Sequence, residues 1–256
     1  MRNVVLRLEY DGADFVGSQL QANGRTVQGE LERAWAQLTQ DPQRFTMAGR
    51  TDTGVHARGQ VANVRTTTTH TLATIKRGLN ALLPADIALL NAWEAAEDFH
   101  ARHSAIRRDY CYLIDNGSVE SPLLRRGAVH FPQLLDVVAM NAGLAYLVGT
   151  HDFAALTIAA FDGPTTRTCY VAHCGNIDVM GRKLIAIDVA ANGFLQHMVR
   201  NIVGTVIDIG IGRFAPTAIP SLLASRDRRR AGRTAPPHGL YLMSVSYPPD
   251  DTHDAT

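Results

Sequence analysis

The order in which apolar residues change their spacing is the strongest constraint on this chain. Val4, Leu6, Leu8 and Tyr10 alternate along residues 2 to 10, the period of a strand with one buried face. After Thr26, a helix-capping residue, Val27, Leu31, Ala34, Trp35 and Leu38 form one stripe of a helix to about Gln40. Residues 44 to 48 and 59 to 66 read as short strands. Thr71 to Leu83 reads as a second helix, with Leu72, Ile75, Leu79 and Leu82 on its apolar face and Pro84 stopping it. Residues 86 to 93 read as a strand, so the order is β-α-β-β-α-β.

The second half repeats that order. A strand is expected over 106 to 115, a helix over about 134 to 148 ended by Gly149, and a hairpin of strands at about 166 to 180 and 183 to 190 turned by "MGRK". A long helix from about 194 to 209, a short one near 217 to 225 and a last strand, "GLYLMSVSY", complete the pattern. No sequence repeat accompanies the repeated order. The expected fold class is α+β, two tandem ferredoxin-like halves forming a continuous, mainly antiparallel sheet with a central basic cleft. The halves are expected at 1–99 and 100–248, joined near Glu97 to His103, with a disordered acidic tail at 249–256.

Composition narrows the class. Apolar residues make up 46% of the 256, enough for a buried core and too many for a disordered chain. Three cysteines, Cys111, Cys169 and Cys174, are no disulfide framework and point to a reducing, cytoplasmic setting. The opening "MRNVVLRLEYDG" alternates like a strand and lacks a signal-peptide core. The most apolar stretch, Phe194 to Ile211, is interrupted by Gln196, His197, Arg200, Asn201 and Asp208 and is no membrane span. Net charge is +1, but the tail "PPDDTHDAT" holds three Asp, which leaves +1 + 3 = +4 on the body. Of the 25 basic residues only Lys76 and Lys183 are lysines. Arginine is the better fork for phosphate, although the count alone also fits codon bias.

One run escapes the core pattern: "AGRTDTGVHARGQ", residues 48 to 60. Three readings compete for it. Gly, Asp and Thr favour turns, so the run fits a structural turn. "DTG" also surrounds the catalytic Asp of aspartic proteases, but those sites need two carboxylates, this chain has one such tripeptide, and its helices argue against their all-β fold. The third reading is a single Asp nucleophile or base, Asp52, held ionised beside Arg50.

The run closely resembles the signature of the TruA-type tRNA pseudouridine synthases. "EYDGADFVGSQLQ", "TVQGELERA", "LNALLPADI", "FHARHSAIRRDYCY", "HDF", "ANGFLQHMVRNIVG" and "PPHGLYL" follow in the family's order, from about Leu8 to Tyr247. The resemblance implies isomerisation of uridine to pseudouridine in the anticodon stem-loop of tRNA, with no metal and no organic cofactor. It implies a homodimer and two ferredoxin-like halves with the site in a basic cleft between them. Asp52 matches the catalytic aspartate, adding either to carbon 6 of uracil or to carbon 1′ of ribose. Arg50 matches the arginine that enters the stem and helps to flip the target nucleotide. Tyr110 matches the tyrosine that stacks on the uracil. Arg200, with Val203 and Ile207 on its helix face, needs an acidic partner if buried, and the resemblance implies that Asp52 is that partner.

Arg58, Arg102, Arg107, Arg108 and the run Arg226, Arg228, Arg229, Arg230 and Arg233 are candidate phosphate contacts. The Cys and His residues of "CYVAHC" and "FHARH" lack paired metal-ligand spacing. Two positions depart from the family pattern: Ser18 stands where Trp is common, and Thr53 where Ala is usual. Neither removes a catalytic group, and Ser18 bears on local loop packing. The rival reading is a catalytically silent tRNA-binding protein on the same fold, which would have no need of the acid.

Overall fold

The computed structural model describes residues 1–158 and 161–249. The chain divides into two compact units, Met1–Arg107 with the segment from Tyr241, and Arg108–Leu240. Of the expected tail, everything after Pro249 lies outside the described residues.

The first unit runs β1 (Arg2–Tyr10), α1 (Val27–Thr39), β2 (Thr46–Met47), β3 (His56–Thr66), α2 (Leu72–Leu82) and β4 (Ile87–Ala95). β1 lies between β4 and β3 and is antiparallel to both, with Leu6 opposite Ala62 and Ala92. β2 pairs antiparallel with β3. Alternation on β1 places Val4, Leu6, Leu8 and Tyr10 in the core, as its spacing predicts, and Val5 is also buried. The α1 stripe is buried at Val27, Leu31, Ala34 and Trp35. Val27 and Leu31 each contribute about 1.5–3 kcal/mol when fully buried. Thr26 caps α1 by accepting from Gly29 N, and Thr71 caps α2 by accepting from Thr74 N. α2 ends before Leu83, ahead of Pro84.

β3 starts three residues earlier than its spacing predicts. His56 and Ala57 are recruited by β10 (Leu240–Ser246), which returns to pair with them in parallel. Gly59 permits that approach, since a Cβ there would lie 2.4 Å from the Met243 carbonyl oxygen. The expected join near Glu97 to His103 packs on the first unit. Phe99 and Ala101 are buried with Val5, Val61 and Tyr247, and the Tyr247 hydroxyl donates to Ala101 O at 2.8 Å. Two buried asparagines fix this stretch: Asn3 Nδ2 donates to Phe99 O, and Ala101 N donates to Asn63 Oδ1.

The second unit runs β5 (Arg107–Asp115), β6 (Val129–His130), α3 (Val137–Ala145), β7 (Gly149–Asp152), β8 (Thr166–Val179), β9 (Arg182–Ala191), α4 (Met198–Gly210) and α5 (Ala218–Ser225). β9 lies antiparallel between β5 and β8, β7 extends the β8 side, and the short β6 runs parallel to β5. The β8–β9 hairpin turns at Met180 and Gly181, both at positive φ (55° and 78°), the conformation a tight two-residue hairpin requires. α3 is shorter than its apolar run. The Asp136 side chain caps it by accepting from Val138 N and Ala139 N, and at its end Tyr146 N and Leu147 N bond three residues back. α4 begins at Met198 rather than near 194, because His197 sits at φ 61° and Met198 N bonds Leu195 O in a turn. Among the described residues, no helix is long and apolar enough to cross a membrane.

Candidate active site

Asp52 lies in the loop between β2 and β3. Its carbonyl accepts from Val55 N at 3.1 Å, closing a turn with Gly54 at φ 78° in the third position. Asp52 is half-buried and Arg50, two residues before it, is exposed. Between them Thr51 is buried, and it ties the loop to the strands beneath. The hydroxyls of Thr51 and Tyr10 lie 2.8 Å apart, and Gln60 Nε2 donates to Gly49 O at 2.9 Å and to the Tyr10 hydroxyl at 3.3 Å. Burial raises the Tyr10 phenol pKa, opposed by its bonds to Thr51, Gln60 and Ser18, so the tyrosine stays neutral. Gly12 completes the base: a Cβ there would lie 1.9 Å from the Val55 carbonyl oxygen, so only glycine lets the end of β1 meet the loop. Its N–H donates to His56 Nδ1 at 3.0 Å.

The network fixes the backbone on both sides of Arg50, presenting its guanidinium to solvent. The loop therefore offers an acid and a cation on a backbone braced from below by Thr51, Tyr10 and Gln60. A structural turn needs Asp52 and Gly54 but gives no reason for an exposed Arg50 between two anchored residues.

Tyr110, Tyr112 and Arg200 belong to the second unit. Tyr110, on β5, is 9% exposed and meets Phe194 edge to face, with ring centroids 5.0 Å apart. Tyr112, two residues along, is fully buried and its hydroxyl donates to Pro236 O at 2.8 Å. Burial pushes its phenol well above the ordinary range, against a smaller opposite pull from Arg200. Tyr112 thus fastens the second unit internally. Arg200, half-buried on α4, donates from Nε to Ala235 O at 2.7 Å, and Ala235 N donates back to Arg200 O at 3.0 Å.

The remaining arginines are not alike. Arg50, Arg58, Arg102, Arg230 and Arg233 are exposed, and Arg107 is half-buried. Arg108 donates to Asn192 O at 3.0 Å. Arg226 pairs with Asp152 at 2.7 Å and Arg229 with Asp227 at 2.8 Å. Arg228 points inward, donating to Asn201 Oδ1 and Thr234 Oγ1, each at 2.9 Å. The run from Arg226 to Arg233 is therefore partly neutralised and partly structural. Its charge count overstates the cation that it displays.

Sequence reasoning did not assign Tyr10, Gln60 and Thr53 to the loop's support, and reached Ser18 only as a matter of local loop packing. The bonds of Ser18, Thr53 and Tyr10 span 33 to 50 residues, beyond any local period, and the Gln60 bond to Gly49 spans 11. The two departures from the family pattern at Ser18 and Thr53 were the available signal.

The family model described as tRNA pseudouridine synthase matches residues 8–104 and 144–248. A tRNA pseudouridine synthase A from Roseiflexus sp. (strain RS-1) is 60% identical over 252 residues, covering 98% of this chain and 93% of that protein. One from Chloroflexus aurantiacus (strain ATCC 29366 / DSM 635 / J-10-fl) is 56% identical over 250 residues, covering 97% and 90%. One from Caldicellulosiruptor bescii is 42% identical over 248 residues, covering 96% of this chain and all of that protein (100%).

Proposed function

The chain belongs to the tRNA pseudouridine synthase family, and we propose that it isomerises uridine to pseudouridine in the anticodon stem-loop, at tRNA positions 38–40. The bond from ribose carbon 1′ to uracil N1 breaks, the base turns, and carbon 1′ bonds to carbon 5. The hydrogen on carbon 5 is lost as a proton and N1 gains one, so the product is an isomer. The observation that carries this reading is the loop itself, with a half-buried Asp52 opening a turn beside an exposed Arg50.

In this reading Asp52 is the nucleophile. Arg50 enters the stem and occupies the stacking space of the flipped nucleotide, which costs a few kcal/mol to extrude. Tyr110 stacks on the uracil, a contact worth about 1–3 kcal/mol. Arg200 is the second catalytic residue of this reading. The exposed Arg58, Arg102, Arg230 and Arg233 suit phosphate contact best. Arg107, Arg108, Arg226 and Arg229 follow, and Arg228 is the least suited because its guanidinium already has two side-chain partners.

The strand order of the first unit, β4-β1-β3 with β2 at β3, supports the ferredoxin-like plan for the first half. A homodimer and a cytoplasmic setting complete the proposal. Three free thiols suit a reducing compartment.

The test is pseudouridine mapping on an unmodified tRNA transcript incubated with the purified chain. Pseudouridine at positions 38–40 is expected. Binding of the transcript without any conversion would favour the silent tRNA-binding protein instead.

A further inference from the structure

We infer that Ser18 and Thr53 are positioning residues that splint Asp52 from both sides. The inference rests on the proposed activity and concerns how the reacting carboxylate is held. Residues Phe15 to Ser18 run beside the loop as a short docking edge. Phe15 O accepts from Gly54 N at 3.3 Å, and Val16 O accepts from the Thr53 hydroxyl at 3.0 Å. Beyond them, Ser18 N donates to Thr51 O at 3.1 Å, and Ser18 Oγ accepts from Thr51 N at 2.8 Å. Thr51, Thr53 and Gly54 are thus each tied to this edge, and Asp52 stands between them. Gly17 keeps the edge close. It sits at φ 122°, and a Cβ there would lie 3.1 Å from Thr51 O.

The edge is itself rigid. Val16 N bonds Arg25 O, Val27 N bonds Gly17 O and Gln28 N bonds Ser18 O, which fastens it to the first turn of α1. Ser18 is fully buried, so its hydroxyl supplies a partner to a Thr51 N–H that water does not reach. The two hydroxyls stand where the family pattern commonly has Trp and Ala, neither of which can make these bonds. A nucleophile displaced by about 1 Å loses on the order of a hundredfold in rate, so a splint of this kind acts on kcat.

The experiment compares Ser18→Ala, Thr53→Val and Thr53→Ser in the full-length protein on an unmodified tRNA transcript. Thr53→Val keeps the shape and removes the donor, and Thr53→Ser keeps the donor. Expected are a fall in kcat of about thirtyfold for Ser18→Ala and about fivefold for Thr53→Val, with KM for tRNA within about twofold of wild type. Thr53→Ser should recover kcat to within about twofold of wild type. Unchanged kcat in folded Ser18→Ala and Thr53→Val, a loss confined to KM, or Thr53→Ser as impaired as Thr53→Val would overturn the inference. If Ser18→Ala does not fold, the exposed Thr53 pair decides alone. A wild-type chain that forms no pseudouridine overturns the proposed function before any variant is compared, so the two failures are distinct.

Discussion

The Arg25 guanidinium forks onto both oxygens of Asp86, at 2.6 and 2.9 Å, while its Nε reaches Glu30 at 2.8 Å. The same guanidinium lies 4.2 Å over the Phe15 ring, at the start of the edge on which the Asp52 loop docks. Asp86 raises the Arg25 pKa, and Arg25 in turn holds the Glu30 carboxyl below its ordinary range. The pair is partly exposed, so solvent screens it. Arg25→Met should cost about 1–2 kcal/mol in urea unfolding, and less at high salt. Arg25→Lys should recover only part of this, since an ammonium cannot fork. A lysine variant as stable as wild type would show that charge alone, not the fork, holds the loop.

Asp52→Asn keeps the side chain's shape and removes the carboxylate that would attack the substrate. Pseudouridine formation should fall below detection, with the melting temperature and tRNA affinity close to wild type. Mapping the tRNA product and a filter-binding titration check both halves. Substantial conversion by the purified variant would remove Asp52 from the chemistry.

Arg200→Met probes the second proposed catalytic residue. It preserves much of the volume and removes the positive charge. kcat should fall by about tenfold or more, with KM for tRNA close to wild type. An unchanged kcat in the folded variant would remove Arg200 from the chemistry.

The legible parts of the fold are those set by local chemistry. Thr26 before an apolar stripe, and Pro84 after one, mark the start of α1 and the end of α2 within a residue or two. The early start of β3 at His56 was not legible, because its partner Tyr241 arrives from 185 residues away in the chain. The start of α4 was hidden too: Phe194 and Leu195 look helical by spacing, and the left-handed His197 that delays the helix leaves no apolar signature. β6 and β7 are too short and too polar to show a period. At the site, Asp52 and Arg50 stand out as residue types. What holds them is a set of hydroxyl and amide bonds from Tyr10, Ser18 and Gln60, visible only once the strands are paired.

Gly204 on α4 carries a packing prediction. A Cβ there would lie 1.6 Å from the Arg233 carbonyl oxygen, and that oxygen is backbone. The segment from Gly232 to Ala235 rides on this face of the helix, held by Thr205 Oγ1, which accepts from Gly232 N at 3.0 Å, and by the paired bonds of Arg200 and Ala235. Gly204→Ala should therefore destabilise by about 2–3 kcal/mol and lower activity by displacing Ala235 from Arg200. Gly175→Ala, where the added carbon meets nothing within 4 Å, is the control and should stay within about 0.5 kcal/mol of wild type. Equal stability of the two variants in urea unfolding would contradict the close approach.

Asp115 carries the pH prediction. Its side chain is 2% exposed and accepts from Arg182 Nε at 2.8 Å, Gly117 N at 3.2 Å and Ser121 N at 3.3 Å. Burial alone would raise its pKa, but Arg182 and the two backbone N–H groups outweigh it and hold the carboxyl below its ordinary value. A carboxyl lowered in the folded state takes up its proton first in the unfolded chain as pH falls. Its stabilisation is therefore full at neutral pH. It fades once pH drops below the unfolded value of about 4 and is gone below the folded pKa. Asp115→Asn should cost about 2 kcal/mol at pH 7, because Arg182 loses its charged partner and one amide hydrogen-bond acceptor becomes a donor. The gap between wild type and variant should stay constant from pH 7 to about 5 and narrow as pH falls toward 3. Urea unfolding at pH 7, 5 and 3.5 reads this directly. A gap that is the same at all three would mean that the Asp115 carboxyl titrates alike in both states, and that its bonds to Arg182, Gly117 and Ser121 confer no preference for the charged form.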